Sequence, residues 1–467
     1  MINGIKSDFD KTESLCPVCL NKISARIITR ENTTFLEKTC PTHGLFSVPI
    51  WRGAPAFESW KRPKIPHKAF RALTENKNGC PYDCGLCPDH RQRSCTILIE
   101  VTDRCNLNCP VCFADAGRGG KRDPSLDEIR KLYCAAWKAG ENSNIQLSGG
   151  EPTVRDDLPE IVAMGRKIGF SFIQLNTNGL RIARDASYLR ALKKAGLASV
   201  FLQFDGVDDG IYQKLRGRKL LKEKLGAINA CGENGIGVVL TPTLVPGINS
   251  ESIGGILKKA VELTPTVRSV HFQPISYFGR YPDSGGERKR MTLPEIMCAI
   301  ERQSNKMFKK EHFKPPGCEN ALCSFNGNFL VLPGGNIMPL QERAAQSCCS
   351  SSINPAPIKA EEGAVRAISY VARQWAAPAT ENLMEISENA SASKTDEKCP
   401  FLSLDDFILR AKTHTFSVSA MTFQDAWNVD LNRVRDCCIH VMSPDQRLIP
   451  FCLYNLTNTN GEGLYRK

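Results

Sequence analysis

The chain has 467 residues, 42% of them hydrophobic, with a formal net charge of +12 and 21 cysteines. That length allows one large domain with appendages, or two to three domains. No stretch reaches the ~18 uninterrupted apolar residues of a membrane span, and the first ten residues lack the apolar core of a secretory signal, so a cytoplasmic protein is expected. The Lys and Arg residues are spread without a long basic run or an RNA-binding motif. Nucleic acid is therefore not expected as a partner; a solvated basic surface, or an anionic substrate such as a lipid headgroup or a leader peptide, fits the charge. Cysteines spaced by two and three residues suit metal sites better than disulfides in a reducing compartment.

Residues 1–60 carry Cys16-Pro-Val-Cys19 and Cys40-Pro-Thr-His43, separated by the β-prone stretch Ile23–Phe35. Two such knuckles on short hairpins build a tetrahedral rubredoxin-like or zinc-ribbon-like site, and both mononuclear iron and zinc accept that ligation. Residues 61–95 form a Pro- and Lys-rich connector ending in Cys80, Cys84 and Cys87, a Cys-x3-Cys-x2-Cys motif, with Cys95 close behind. Four thiolates close a cube, so Cys80, Cys84, Cys87 and Cys95 read as an auxiliary electron-transfer cluster.

From Thr96 to about residue 310, short β-rich runs alternate with amphipathic helices. Strands are predicted at Thr96–Thr102, Asn144–Ser148, Phe172–Thr177, Ser199–Phe204, Val238–Leu244 and Val267–Gln273. Helices are predicted at Ser125–Lys138, Asp156–Lys167, Ala186–Ala195, Lys219–Asn234, Ser250–Leu263 and Thr292–Lys309. Six such units specify an α/β fold, a partial (β/α)6 TIM-like barrel with its functional residues at the C-terminal ends of the strands.

Residues 311–467 follow as a Cys-rich C-terminal region with an Ala-, Ser- and Glu-rich insertion at 341–398, helical over Glu361–Ala376 and otherwise flexible. Cys318, Cys323, Cys437 and Cys452 are expected to hold a second auxiliary cluster. Adjacent cysteines do not both reach one iron comfortably, and Cys437 is preferred over Cys438. Cys348, Cys349 and Cys399 read as bystanders, and Cys134, Cys231 and Cys298 as packed core thiols in helices.

The second Cys-x3-Cys-x2-Cys, Cys105, Cys109 and Cys112, directly follows a predicted strand, and Gly149-Gly150-Glu151-Pro152 ends the next one. Three thiolates leave one iron of a [4Fe-4S] cube open to a ligand, whereas four make an electron carrier. At the third strand's end Asn176 and Asn178 offer amides, and at the fourth Gln203 and Asp205 are polar groups closing an apolar run, where a ligand would satisfy them. Thr241, Thr243 and Gln273 repeat that pattern more weakly.

The loop from Glu100 to Asp115, with Gly149–Pro152 one strand later, resembles the radical SAM superfamily over residues 95–310. The resemblance implies that the open cube on Cys105, Cys109 and Cys112 chelates S-adenosylmethionine and cleaves it reductively to a 5'-deoxyadenosyl radical. It implies too that Gly149 and Gly150 let the backbone approach the methionyl amine, with the Glu151 carboxylate near it. Asn176, Asn178, Gln203 and Asp205 complete the expected cofactor contacts, and no side chain has to act as a nucleophile.

The order of the Cys-rich elements is similar to the tetraether lipid synthase-like branch of that superfamily and its bacterial peptide-maturase relatives. This implies hydrogen abstraction from an unactivated C–H bond for C–C or C–S bond formation or methylation, on a lipid, peptide or pterin substrate. The implied partners are that substrate, a flavodoxin or ferredoxin-type reductant, and at most a peripheral membrane contact. Two other readings stay open at this point, a non-catalytic iron-sulfur electron-transfer protein and an RNA-modifying radical SAM enzyme.

Overall fold

A computed structural model describes residues 10–67, 73–117, 120, 122–140, 142–281, 289–340, 357–379 and 403–466. Cys348, Cys349 and Cys399 lie outside them, as does most of the 341–398 insertion. No helix among the described residues is long and apolar enough to cross a membrane.

The N-terminal unit is an antiparallel four-stranded meander of β1 (Asp10–Leu15), β2 (Lys22–Arg30), β3 (Thr33–Cys40) and β4 (Gly44–Arg52). Its turns bring the two predicted knuckles together. The unit is latched to the end of the chain: the buried Lys38 ammonium donates to Leu15 O and Ala426 O, both at 2.7 Å, and Ser14 Oγ donates to Val429 O. A buried amine needs such acceptors, because burial disfavours its charge; here burial pulls the Lys38 pKa down to about 7.

The strands predicted for the barrel are all present: β5 (Thr96–Thr102), β6 (Asn144–Gly149), β7 (Ile173–Thr177), β8 (Ser199–Gln203), β9 (Gly237–Thr241) with the short β10 (Thr243–Leu244), and β11 (Val267–Pro274). They pair in parallel in that order, β10 pairing beside β9 on β11. The C-terminal region is woven into both edges of this sheet. β14 (Thr415–Met421) adds parallel to β11, and β15 (Ile439–Met442) adds parallel to β5. Outside them lie β12 (Ser324–Val331) with β13 (Ile337–Pro339) on one side and β16 (Leu448–Pro450) on the other, all antiparallel. Neither edge of the six-unit parallel sheet is thus left as an unpaired row of backbone donors and acceptors.

Side chains alternate across each strand, and the two faces differ in chemistry. Ile97, Ile99, Val101, Ile145, Leu147, Ile173, Leu175, Val200, Leu202, Val238, Leu240, Val270 and Phe272 belong to the main apolar core, shared with the surrounding helices. The intervening residues Gln146, Ser148, Asn176, Gln203, Thr241, His271, Gln273 and Ser419 line the inside. Interior polar groups satisfy one another: Gln146 Nε2 donates to Gln174 Oε1 at 2.8 Å, and Gln174 Nε2 to Ser199 Oγ at 3.1 Å.

The helix expected at Glu361–Ala376 forms at Ala360–Trp375 and crosses the floor of the barrel. Its carbonyls and side chains meet the first residues of four strands. Asn144 Nδ2 donates to Ile368 O, Arg268 Nε to Gln374 O, and Gln374 Nε2 to both Arg268 O and Thr415 O. Gly237 opens β9, and a Cβ there would lie 2.3 Å from Trp375 O. Cys231 is buried as expected, but Cys134 and Cys298 are exposed, on the outer faces of their helices.

Gly237→Val tests the floor contact, since valine suits a strand and only the approach of the helix opposes it. A loss of about 1–3 kcal/mol in denaturant unfolding is expected, and an unchanged midpoint would contradict the packing.

Candidate functional site

Cys105, Cys109 and Cys112 lie on the irregular loop after β5, above the C-terminal ends of the strands. Gly149 and Gly150 define how that loop seats. A Cβ on Gly149 would stand 2.1 Å from Thr102 O, and one on Gly150 2.3 Å from Arg104 O. In place of those side chains, Gly150 N donates to Thr102 O and Glu151 N to Arg104 O, each at 2.8 Å. What the two glycines admit in this structure is the backbone of the cysteine loop itself.

Two arginines hold the loop from the opposite side. Arg216, buried, donates to Val111 O at 2.8 Å and forms a bidentate pair with the fully buried Asp205 at 2.7 and 2.9 Å. Arg280 donates to Cys109 O at 2.7 Å and pairs with Asp115, while its backbone exchanges two hydrogen bonds with Cys112. Burial pushes the Cys105 thiol up to about 11, with Glu151, Cys109 and Cys112 adding in the same direction. Burial also raises Cys109, partly opposed by Arg216. A metal that binds here displaces those protons, and Arg216 favours the thiolate form of Cys109.

Glu151 is 1% exposed and accepts from Thr153 N, Thr153 Oγ1, Thr177 Oγ1 and Asn178 N. Those four donors occupy most of a carboxylate's capacity, so Glu151 ties the end of β6 to the end of β7. Asn178 is likewise engaged, donating to Asn106 of the cysteine loop and accepting from Leu180 N. Asn176 differs: it lines the cavity and its Oδ1 is buried without a partner. Gln203 Oε1 accepts from the buried Lys224 ammonium at 3.1 Å. Because Lys224 only donates, the Gln203 amide is fixed with its NH2 free to face the cavity. Asp205 itself does not line the cavity; the group it presents there is Arg216.

The cavity has a volume of about 850 Å³. Its walls include Cys105, Cys109 and Cys112, the inner strand residues, and, on the far side, Cys95, Cys318 and Glu319. Phe201, His271 and Trp375 pack edge to face or tilted at its base, with ring centroids 5.6–6.2 Å apart.

The other cysteines group differently from the sets expected from the sequence. Cys16, Cys19, Cys40 and His43 do converge, all four ligand atoms within 4.8 Å of one another. Cys80, Cys84 and Cys87 share a small pocket with His90 and Arg435, but Cys95 is not their fourth member. Cys95 instead meets Cys318 and Cys438, the three Sγ atoms within 4.8 Å of one another. The cause is the β5–β15 pairing, which sets Cys95 N on Cys438 O at 2.8 Å. Neighbouring side chains in extended backbone point opposite ways, so Cys437 turns away and donates to Ile439 O. Cys323 accepts from Arg433 at 3.2 Å, and Cys452 from Gln424 N at 3.2 Å. The second expected set thus loses Cys318 to Cys95, and Cys438 takes the place expected of Cys437.

Arg216, Arg280, Lys224 and Glu319 were not anticipated, and Cys438 stood second to Cys437. A buried Asp205 was the available signal for a nearby cation; the others carry no local pattern.

Residues 99–260 match the model of the radical SAM superfamily, and residues 9–52 match that of the HMPTM N-terminal zinc ribbon domain. The chain is 35% identical to a 7,8-dihydro-6-hydroxymethylpterin dimethyltransferase of Methanocaldococcus jannaschii, over 95% of this chain and 93% of that protein. It is 31% identical to a probable GTP 3',8-cyclase of Methanothermobacter thermautotrophicus, over 35% of this chain and 53% of that one. A crystal structure of Streptococcus suis SuiB bound to precursor peptide SuiA aligns at 16% identity with a TM-score of 0.40, covering 48% of each chain. With a triple-cysteine loop seated above a partial TIM-like barrel and a near full-length relative of this kind, the chain is an enzyme of the radical SAM superfamily.

Proposed function

We propose that this enzyme cleaves S-adenosylmethionine reductively to methionine and a 5'-deoxyadenosyl radical, and that the radical activates a C–H bond for the methylation of a pterin-like heterocycle, the methyl carbon coming from a separate one-carbon donor because that of the cleaved molecule leaves with methionine. The observation that carries the reading is the single cavity that joins the Cys105, Cys109 and Cys112 loop to a polar barrel wall, in a chain that aligns nearly end to end with a pterin dimethyltransferase. A [4Fe-4S] cluster bound to those three thiolates would supply the electron that breaks the sulfonium C–S bond.

The protein's own residues supply position and exclusion of water. The unpartnered Asn176 Oδ1 accepts a donor of the bound cofactor, and the free Gln203 NH2 donates to it. Arg216 offers a cation near a carboxylate group, locked in place by Asp205. Glu151 and Asn178 serve as positioning residues, because their side chains bind the loop and the strand ends. The helix on the barrel floor closes the cavity opposite the cysteine loop, which protects a reactive intermediate from water. A flavodoxin or ferredoxin-type protein is the expected electron source. The Cys16, Cys19, Cys40 and His43 group fits a structural zinc, with a tetrahedral donor set and no ligand position facing the cavity.

Anaerobically reconstituted protein with dithionite is expected to convert S-adenosylmethionine to 5'-deoxyadenosine, and Cys109→Ala to reduce that product below detection. Retention of the product in Cys109→Ala would remove the assignment. Addition of 6-hydroxymethyl-7,8-dihydropterin together with a one-carbon donor, either excess S-adenosylmethionine or a methylene-carrying reduced pterin, should yield methylated pterin by mass spectrometry, and its recovery unchanged with both donors would exclude that substrate.

The Asp205–Arg216 pair gives a second test. Asp205→Ala leaves a buried guanidinium uncompensated and should cost about 3–5 kcal/mol in unfolding. Asp205→Ala with Arg216→Met should recover most of that stability while weakening cofactor binding in calorimetry. Equal stability of the two variants would contradict a pair of this kind.

A further inference from the structure

Phe201 stands two residues before Gln203 on β8 and faces the same way, so the aromatic base of the cavity lies directly beneath the Gln203 amide. His271 on β11 and Trp375 at the end of the floor helix complete that base, each in ring contact with Phe201. Gln146 on β6 lines the same cavity from the other side of β8.

Hydrogen bonding fixes what Gln146 and His271 present there. Ser199 Oγ donates to Gly237 O at 3.1 Å and so accepts from Gln174 Nε2; Gln174 Oε1 in turn accepts from Gln146 Nε2. The free end of this relay is Gln146 Oε1, an acceptor with no protein partner among the described residues, on a side chain partly open to the cavity. On the other side of β8, His271 Nδ1 lies 2.8 Å from Ser419 Oγ. Nδ1 is the only hydrogen-bond partner of that hydroxyl among the described residues, so it takes the hydroxyl proton and Nε2 keeps the ring hydrogen as a donor. Burial pulls the His271 pKa down to about 4, which keeps the imidazole neutral.

We propose that this aromatic base is the subsite for a planar, amino-substituted heterocycle: Phe201 and Trp375 meet its face, Gln146 Oε1 accepts from its exocyclic amino group, and His271 Nε2 donates to a ring nitrogen or oxo group on the other side. An acceptor and a donor held on either side of β8 read the two edges of such a ring. An oxo group in place of the amino group would set two acceptors against each other at Gln146. Gln146 and His271 are thus specificity-determining residues, and the ring sits below the cofactor, where one of its C–H bonds can face the radical. The subsite rests on the reading of the substrate as a pterin-like heterocycle and names the residues that recognise it.

The test is calorimetric titration of the reconstituted full chain with two probes of one shape, 6-hydroxymethylpterin and 6-hydroxymethyllumazine, which differ in an amino against an oxo group at one ring position. The wild type is expected to bind the pterin about 10- to 100-fold more tightly, as follows from leaving a buried polar group unpaired. Gln146→Leu is expected to abolish that preference. His271→Leu is expected to weaken both probes by about tenfold with the preference kept, and His271→Gln, which retains an amide donor near the place of Nε2, to restore most of the affinity. A wild type that binds without preference for the pterin, a preference that survives Gln146→Leu, or equal affinity of His271→Leu and the wild type overturns the subsite and leaves the substrate reading standing. Failure of the wild type to bind either probe overturns both. Should Gln146→Leu fail to fold with Gln174 left unpaired, the His271 variants decide: loss in His271→Leu with recovery in His271→Gln supports the subsite, and equal affinity of the two variants overturns it.

Discussion

Cys105, Cys109 and Cys112 sit on a loop with no regular structure of its own, so the spacing of their sulfurs has to be imposed from outside. The close approach of that loop to Gly149 and Gly150 does this from below, where any side chain would displace it by an ångström or more. Arg216 and Arg280 do it from above through the carbonyls of Val111 and Cys109. Because the arginines stand on segments that follow β8 and β11, the loop is referenced to both halves of the barrel. A cluster site that must keep one iron available to an exogenous ligand gains from such bracing, since a loop free to relax could bring a further donor to the open position.

The barrel separates two tasks by the period of its strands. Aliphatic residues at one parity make the core with the helices, and polar residues at the other parity make a cavity wall whose groups bond to each other or wait for a ligand. The C-terminal region serves the same cavity in three ways. It covers both sheet edges with β14 and β15, lays a helix across the floor, and carries Cys318 and Glu319 to the wall opposite the cysteine loop. The N-terminal meander is latched through Lys38 and Ser14 to residues 426–429, on the segment that runs from β14 to β15.

Much of this was legible in the chain because it is encoded locally. β5 begins and ends where alternation and flanking residues place it, and the helix Ala186–Ala195 matches its predicted span. No helix is predicted over Asp209–Arg216, because Gly206 and the Asp208-Asp209-Gly210 run are turn-forming residues and the helix ends at Gly217 after only eight residues. That omission hid Arg216, and with it the reason why Asp205 is buried. Pairings across hundreds of residues left no local mark either. Nothing near Cys95 announces β15, so the partition of the cysteines between sites followed sequence proximity where the sheet joins Cys95 to Cys438. Exposure of Cys134 and Cys298 reflects the same limit, since a thiol on a helix gives no sign of which face it occupies.

Cleavage of S-adenosylmethionine here requires one iron without a protein ligand at Cys105, Cys109 and Cys112. Mössbauer spectroscopy of 57Fe-reconstituted protein, with and without S-adenosylmethionine, addresses this directly. One iron subsite is expected to shift on addition of S-adenosylmethionine, and to be absent from the variant lacking those three cysteines. A spectrum that does not change on addition would mean that every iron is already saturated by the protein, and would contradict the central claim.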